Sequence, residues 1–320
     1  MISARLPDSL RQALELLAPR FPAARLAAEA AELSAAYRVP RAAVIGSPVS
    51  AAAYALTRMP ATFAALSAAW WELPFTPATV LDLGGGTGAA AWAAASVWPG
   101  APPLCTLVES NPWMRALGES LGAPNAAWRG GDFRNLAGLG AHDLVSFSYS
   151  LGELPAREAL ETIERAWMLA GRALVIVEPG TPRGYDFTLK ARELLLRAGA
   201  HVAAPCPHHD PCPLAAPDWC HFAVRVERSR VHRVLKGGSL GYEDEKFSYL
   251  AATREPPARG LARILRRPWQ DSGAIRLQLC APGGLAVRTV TRREKTLFRA
   301  ARKSSWGQRW KEPADDSPTD

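Results

Sequence analysis

The sequence predicts an α/β protein built on a parallel sheet, and three observations predict it. Short apolar segments alternate with helical ones from Pro77 onward, the rhythm of strand–helix–strand units. A run of glycines, Gly84-Gly85-Gly86-Thr87-Gly88, closes the first apolar segment and opens a helix. The second apolar segment ends in a carboxylate, Glu109. With 48% hydrophobic and 21% charged residues, a chain of 320 residues has enough apolar surface to bury such a sheet on both faces.

The elements follow in order. Residues 1–75 read as helical, because Leu10, Leu14 and Leu17, then Leu26, Ala30 and Leu33, recur at helical spacing. A further helical stretch carries Tyr54, Phe63, Leu66 and Trp70, with a break expected at Pro60. Strands are predicted at 79–83, 104–109, 143–148 and 173–178, with helices around 88–98, 112–121, 156–170 and 185–198. A segment rich in proline, histidine and cysteine (201–222) interrupts the rhythm, and strands near 246–253 and 275–280 follow. Beyond Arg292 a basic helix or extended arm is expected. Three regions result: a helical region 1–75, a sheet domain 76–281 with an insertion at 201–240, and a basic extension 282–320. No apolar run is long enough to cross a bilayer. The beginning of the chain lacks an apolar signal core, and Asp8 and Glu15 argue against an acid-poor transit peptide, so the expectation is cytoplasmic.

Glycines at the end of a first strand let backbone amides approach a ligand, since a Cβ would collide or forbid the dihedrals. Read through Ala89, the loop also fits a nicotinamide dinucleotide pattern. Asp82, two residues before the first glycine, matches the D-x-G-x-G-x-G pattern of class I S-adenosylmethionine-dependent methyltransferases, and no hydride-transfer residue set follows. The expected cofactor residues are Asp82, Gly84, Gly86, Gly88 and Glu109, the last accepting both ribose hydroxyls. Asp132 and Phe133 would meet the adenine, although Asp132 also reads as a turn residue after two glycines. Tyr149 and Glu153, after the fourth strand, are the catalytic candidates; Glu153 could be a base but reads more readily as a first-turn helix carboxylate.

Charge is segregated. Residues 254–311 hold fifteen Lys/Arg against three Asp/Glu, while residues 1–253 balance 23 against 23. With Trp269, Phe298, Trp306 and Trp310 interleaved, that segment reads as a polyanion-binding surface. Cys105 sits in a predicted strand and reads as core. Cys206, Cys212 and Cys220 stand in a proline-rich loop, with Cys280 far downstream, and suit a metal knuckle holding zinc or an iron–sulfur cluster. His208, His209 and His221 are possible substitutes for a thiol.

Cys206-Pro-His-His-Asp-Pro-Cys212-Pro, Asp218-Trp-Cys220-His-Phe and Glu243-Asp-Glu-Lys-Phe-Ser-Tyr249 resemble the methyltransferase-like family of mitochondrial small-ribosomal-subunit assembly proteins and their bacterial relatives. Tyr54-Ala-Leu-Thr-Arg58-Met-Pro60 and Ala301-Arg-Lys-Ser-Ser-Trp306-Gly307 add to the match. The resemblance implies a seven-stranded methyltransferase fold, bound S-adenosylmethionine and a [4Fe-4S] cluster on Cys206, Cys212, Cys220 and Cys280. It also implies binding to small-subunit ribosomal RNA during assembly, with or without catalytic turnover. The oligomeric state is not read from the sequence.

Overall fold

The computed structural model describes residues 2–36, 45–258 and 261–312. After a short strand β1 (Ile2–Ala4), the periodic leucines of α1 (Asp8–Leu17) and α2 (Ala23–Ala36) turn inward and are buried. Ser47 caps α3 (Pro48–Thr57), its hydroxyl accepting the Ser50 amide. Arg58 separates α3 from α4 (Met59–Trp70), and Pro60 falls in the first turn of α4, where its missing N–H costs nothing.

The alternating part runs β2 (Thr79–Leu83), α5 (Ala89–Val97), β3 (Leu104–Glu109), α6 (Pro112–Leu121), β4 (Ala126–Gly130), β5 (His142–Ser148), α7 (Ala156–Leu169), β6 (Ala170–Pro179) and α8 (Pro182–Arg197). It continues through β7 (His201–Ala204), β8 (Phe222–Glu227), α9 (Arg230–Leu235) and β9 (Tyr242–Thr253). These strands, with β1, form one sheet in the order β1-β8-β9-β6-β5-β2-β3-β4, with β7 also on β9. β2 to β6 are parallel, and β9 is antiparallel to β6, β7 and β8. Val80, Leu144 and Val175 enter a core with α1 to α5, whereas Leu81, Phe147 and Ile176 enter a second core with α7 and α8. Burial on both faces explains why these strands read as continuous apolar runs. The fold is the expected class I methyltransferase-like α/β sheet.

The strand count departs from the seven that the resemblance implies. β7 and β8 both pair with β9, Ala204 opposite Ala251 and Phe222 opposite Phe247, so they lie in line along one edge. One strand position is thereby occupied by two segments, and the cysteine-bearing loop 205–221 leaves the sheet between them. β1 then extends the edge beyond β8.

The last part differs more. β10 (Ala262–Ile264), β11 (Trp269–Gln270), β12 (Ala274–Ala281), β13 (Gly284–Thr291) and β14 (Arg309–Trp310) form a second, antiparallel sheet, with α10 (Lys295–Lys303) packed on it. The segment expected at 275–280 as a strand of the main sheet therefore belongs to this one. Ile264, Ile275, Leu277, Leu279, Val290 and Trp310 form its separate core. The expected basic helix exists as α10, but β13 before it and β14 after it were not anticipated, because β13 buries only Val290 and β14 is two residues long. The acids of 313–320 lie outside the described residues.

Arg263 joins the two sheets. It donates to Glu72 Oε1 from Nη1 at 2.7 Å and to Oε2 from Nη2 at 3.1 Å. It also donates to the carbonyls of Pro205 at 3.0 Å and Gly307 at 2.7 Å. Arg309 adds a bond to Glu72 Oε2 at 2.9 Å. Among the described residues no helix is long and apolar enough to cross a membrane.

Candidate cofactor cavity and thiol cluster

The chain leaves β2 outward toward β3 and returns at β5 on the other side, so a crevice opens at the carboxyl ends of β2 and β5. Asp82 lies in β2 between Leu107 of β3 and Ser146 of β5, and its buried Oδ1 has no hydrogen-bond partner. Burial pushes its carboxyl up to about 8; Ser146 opposes that and the charge of Glu109 adds to it. After β2 the chain must turn past Ser150. Gly84 does so at φ 90°, and a Cβ there would stand 2.5 Å from the Ser150 Cβ. Gly86 adopts φ 55°, and the space its Cβ would enter is bounded by Met114 and Tyr54.

Glu109 is fixed by the loops around it. Its Oε2 accepts the Gly86 amide at 2.8 Å and its Oε1 accepts the Asn111 amide at 2.7 Å. Burial raises its pKa, against the pull of these amides. Each oxygen keeps a second acceptor position, so the carboxylate can still take a pair of hydroxyls.

A cavity of about 180 Å³ opens here, and Gly84, Gly86, Glu109, Phe133, Tyr149 and Glu153 all line it. Tyr54, Asn111 and Met114 line it too and were not anticipated. Asn111 had a signal: Asn-Pro one residue beyond a strand-ending carboxylate is a helix N-cap followed by proline at N1. Its Oδ1 accepts the amides of Trp113 and Met114, and its Nδ2 donates to the Ile45 carbonyl at 2.7 Å.

Three expected cofactor residues stand elsewhere. Asp82 lies beneath the loop, and Gly88 caps α5 in the left-handed region. Asp132 accepts the Arg134 amide at 2.8 Å and its Nε at 2.7 Å, so it serves the turn after β4. The hydrogen bond from Arg134, outweighing partial desolvation, holds its carboxyl below the usual range.

The catalytic candidates differ from each other. Tyr149 has φ 58°, a left-handed backbone that costs a non-glycine residue strain. Its hydroxyl donates to Glu245 Oε1 at 2.9 Å, and burial and that carboxylate hold the phenol well above its ordinary pKa. Glu153 is exposed at the cavity mouth. Desolvation against the wall and the charge of Glu109 push it up to about 7. Behind it Glu178 is buried and pushed up to about 8, mainly by that burial and further by Glu153, against the Gly152 amide and Arg183. Carboxylates that raise one another's pKa form an electrostatic host for a cation.

The thiols converge on a different cavity, at the seam of the two sheets. Cys206, Cys212 and Cys220 of the loop and Cys280 of β12 line one space of about 40 Å³, and all four are free. The Tyr185 hydroxyl lies 3.2 Å from Cys212 Sγ, and His208 Nε2 lies 3.5 Å from Cys280 Sγ. Burial, then the neighbouring sulfurs, push Cys280 up to about 12 and Cys220 well above its usual value. His209 Nε2 already accepts the Val202 amide at 2.9 Å, and His221 stacks on Trp219. Among the described residues, no three His, Cys, Asp or Glu side chains stand close enough to hold a single metal ion. Cys105 is buried in β3, away from this cluster.

Residues 48–311 match the family described as mitochondrial small ribosomal subunit Rsm22. The human mitochondrial ribosome assembly protein METTL17 is 31% identical over 254 residues, covering 72% of this chain and 54% of that protein. The mitochondrial Rsm22-cox11 tandem protein 2 of Schizosaccharomyces pombe is 26% identical over 286 residues, covering 71% and 38% respectively. The chain thus spans about half the length of the human protein, and less of the yeast one. Among solved structures, magnesium protoporphyrin IX methyltransferase of Synechocystis with bound S-adenosylmethionine aligns at TM-score 0.41. That pair is 16% identical, over 69% of this chain and 91% of that one. An O-methyltransferase family protein of Burkholderia thailandensis aligns at 0.42 with 18% identity, over 67% and 62%.

These relatives correct the cytoplasmic expectation, since the family description and the names of both relatives are mitochondrial. The expectation rested on Asp8 and Glu15. Both lie in α1, whose leucines are packed in the folded body, so they report on a structural helix rather than on targeting.

Proposed function

The chain belongs to the mitochondrial small ribosomal subunit Rsm22 family, and from that premise we propose an S-adenosylmethionine-dependent, methyltransferase-like factor. It acts on the RNA of a small ribosomal subunit of the mitochondrial type during assembly. The observation that carries the reading is Glu109, held by two backbone amides in the lining of the cavity, with acceptor positions to spare. When bound, S-adenosylmethionine supplies a methyl group on a positively charged sulfur. Glu109 would take the ribose hydroxyls, Phe133 would pack against the base, and Glu109 and Glu153, both lining the cavity, would balance the positive charge. Glu153, titrating near neutrality at the mouth, takes the proton that the acceptor atom of the RNA gives up.

One observation favours a second reading, a binding factor without turnover. The Tyr149 hydroxyl is committed to Glu245, which removes one of the two candidate groups from chemistry. Methyl transfer from a labelled donor to immature small subunits separates the two. Transfer that disappears in Gly86→Arg supports the enzyme. Tight cofactor and RNA binding without transfer supports the assembly factor.

The thiol cavity fits a multinuclear group. Four free thiols surround one space, the donor set that a [4Fe-4S] cluster takes. Cys206, Cys212, Cys220 and Cys280 would hold it, and it would supply a structural or redox-sensing tie between the loop and β12. Protein purified without oxygen should carry iron and acid-labile sulfide that Cys212→Ser loses. Zinc in their place, or no metal, refutes the cluster.

A further inference from the structure

The two faces of the second sheet have different fates. Ile275, Leu277 and Leu279 of β12 pack into the core under α10. Alternate side chains of β12 point the other way, and register places Arg263, Trp269, Leu285, Val287 and Thr289 on that face with them. One end of the face is covered, where Cys280 borders the thiol cavity and Arg263 binds Glu72 and Pro205. The other end is bare. Trp269, 52% exposed, stands directly across from Arg276, whose guanidinium lies 5.0 Å from the ring centroid. Beside this pair lie exposed Gln278 and Thr289, then Leu285 at 50% and Val287 at 67% exposure.

Resting on the RNA reading above, we propose that this bare half-face is a stacking platform for a single-stranded segment of RNA. An indole and a guanidinium plane each accept the flat face of a base, and Gln278 and Thr289 offer hydrogen bonds to its edge. A paired helix keeps its bases stacked inside and cannot use such a surface. Charge complements the same ligand. Arg267, Arg292, Arg293 and Lys295 are exposed around the sheet, and among the described residues none is ion-paired to an acid. Asp271, in the turn before β12, is the acid nearest in sequence to the Trp269–Arg276 pair. The polar residues that interleave the apolar ones argue for nucleic acid rather than a lipid surface.

The test uses the full chain and fluorescence anisotropy with a labelled oligouridylate, a hairpin duplex of equal charge, and anionic phospholipid vesicles. Trp269→Ala should weaken the oligouridylate about tenfold, as loss of one stacking contact does. Trp269→Phe should retain most of the affinity, and duplex and S-adenosylmethionine binding should not change. Because Trp269 is a surface residue, the variant's circular dichroism should match the wild type. Unchanged oligouridylate affinity in Trp269→Ala, with wild-type RNA binding intact, overturns the platform but leaves the RNA reading standing. No RNA binding by the wild type at low salt overturns both. Loss of vesicle binding alone also overturns the platform.

Discussion

Replacing Glu72 by glutamine should destabilise the protein by about 3–5 kcal/mol, the usual cost of removing one partner from a buried ion pair. The size follows from the surroundings of Arg263. Its side chain is 4% exposed and Glu72 is 16% exposed, so water cannot take over when the carboxylate is neutralised. Four hydrogen bonds converge on that guanidinium, two of them from the lost charge. The remaining two carbonyls, Pro205 and Gly307, solvate a cation only in part. Burial works against ionising Glu72, yet Arg263 and Arg309 hold its pKa below the ordinary 4.5. A depressed carboxyl stabilises above its unfolded value, so this contribution is full above about pH 4.5 and is lost as acid protonates the group. Urea denaturation of wild type and variant at pH 7 measures the difference. Glu227→Gln is the control, since Glu227 lies 3.9 Å from Arg5 with both side chains more than 60% exposed. Such a pair contributes about 0–1 kcal/mol. A Glu72→Gln cost no larger than the control's would refute the idea that one buried guanidinium fastens the second sheet.

Gly86→Arg should abolish S-adenosylmethionine binding by calorimetry, because its side chain starts 3.6 Å from Met114 and 3.8 Å from Tyr54 and fills the cavity. Gly84→Ala acts differently: strain at φ 90° and a 2.5 Å clash with Ser150 should cost about 1–3 kcal/mol in denaturation. Affinity for the cationic cofactor should rise about fivefold from pH 6 to 7, because Glu153 titrates near 7 and a positive charge favours its ionised form; a flat profile would contradict the cation host. Without ligand, stability should fall as pH rises toward 8, since folded Asp82 and Glu178 keep protons that the unfolded chain has released. Cys105→Ala should leave metal content unchanged.

The sheet was legible because its strands are buried on both faces and each carries its own apolar run; 79–83 and 104–109 match β2 and β3 residue for residue. β4 escaped notice because it is an edge strand, exposed at Ala127, Arg129 and Gly130, so no apolar pattern marks it. β7 and β8 were hidden by the insertion between them. At the cavity, glycines and Glu109 announced themselves through spacing, whereas Tyr54 and Met114 arrive from helices whose periodicity speaks only of packing. Asp132 read either as an adenine contact or as a turn residue, and Arg134 claims it for the turn, a choice that spacing alone does not decide.

The in-line arrangement of β7 and β8 has a consequence for how the cysteine loop can evolve and open. Both ends of the loop are tethered to β9, four residues apart in register, or about 14 Å. The sheet therefore meets the entropy of closing the loop whatever its length, and each doubling would add only about 0.6 kcal/mol. A segment tethered in this way can detach and reclose as a local unit while β9 stays paired with β6. Hydrogen exchange of an emptied thiol site should then quicken across 205–221 and leave the amides of β6 and β9 slow.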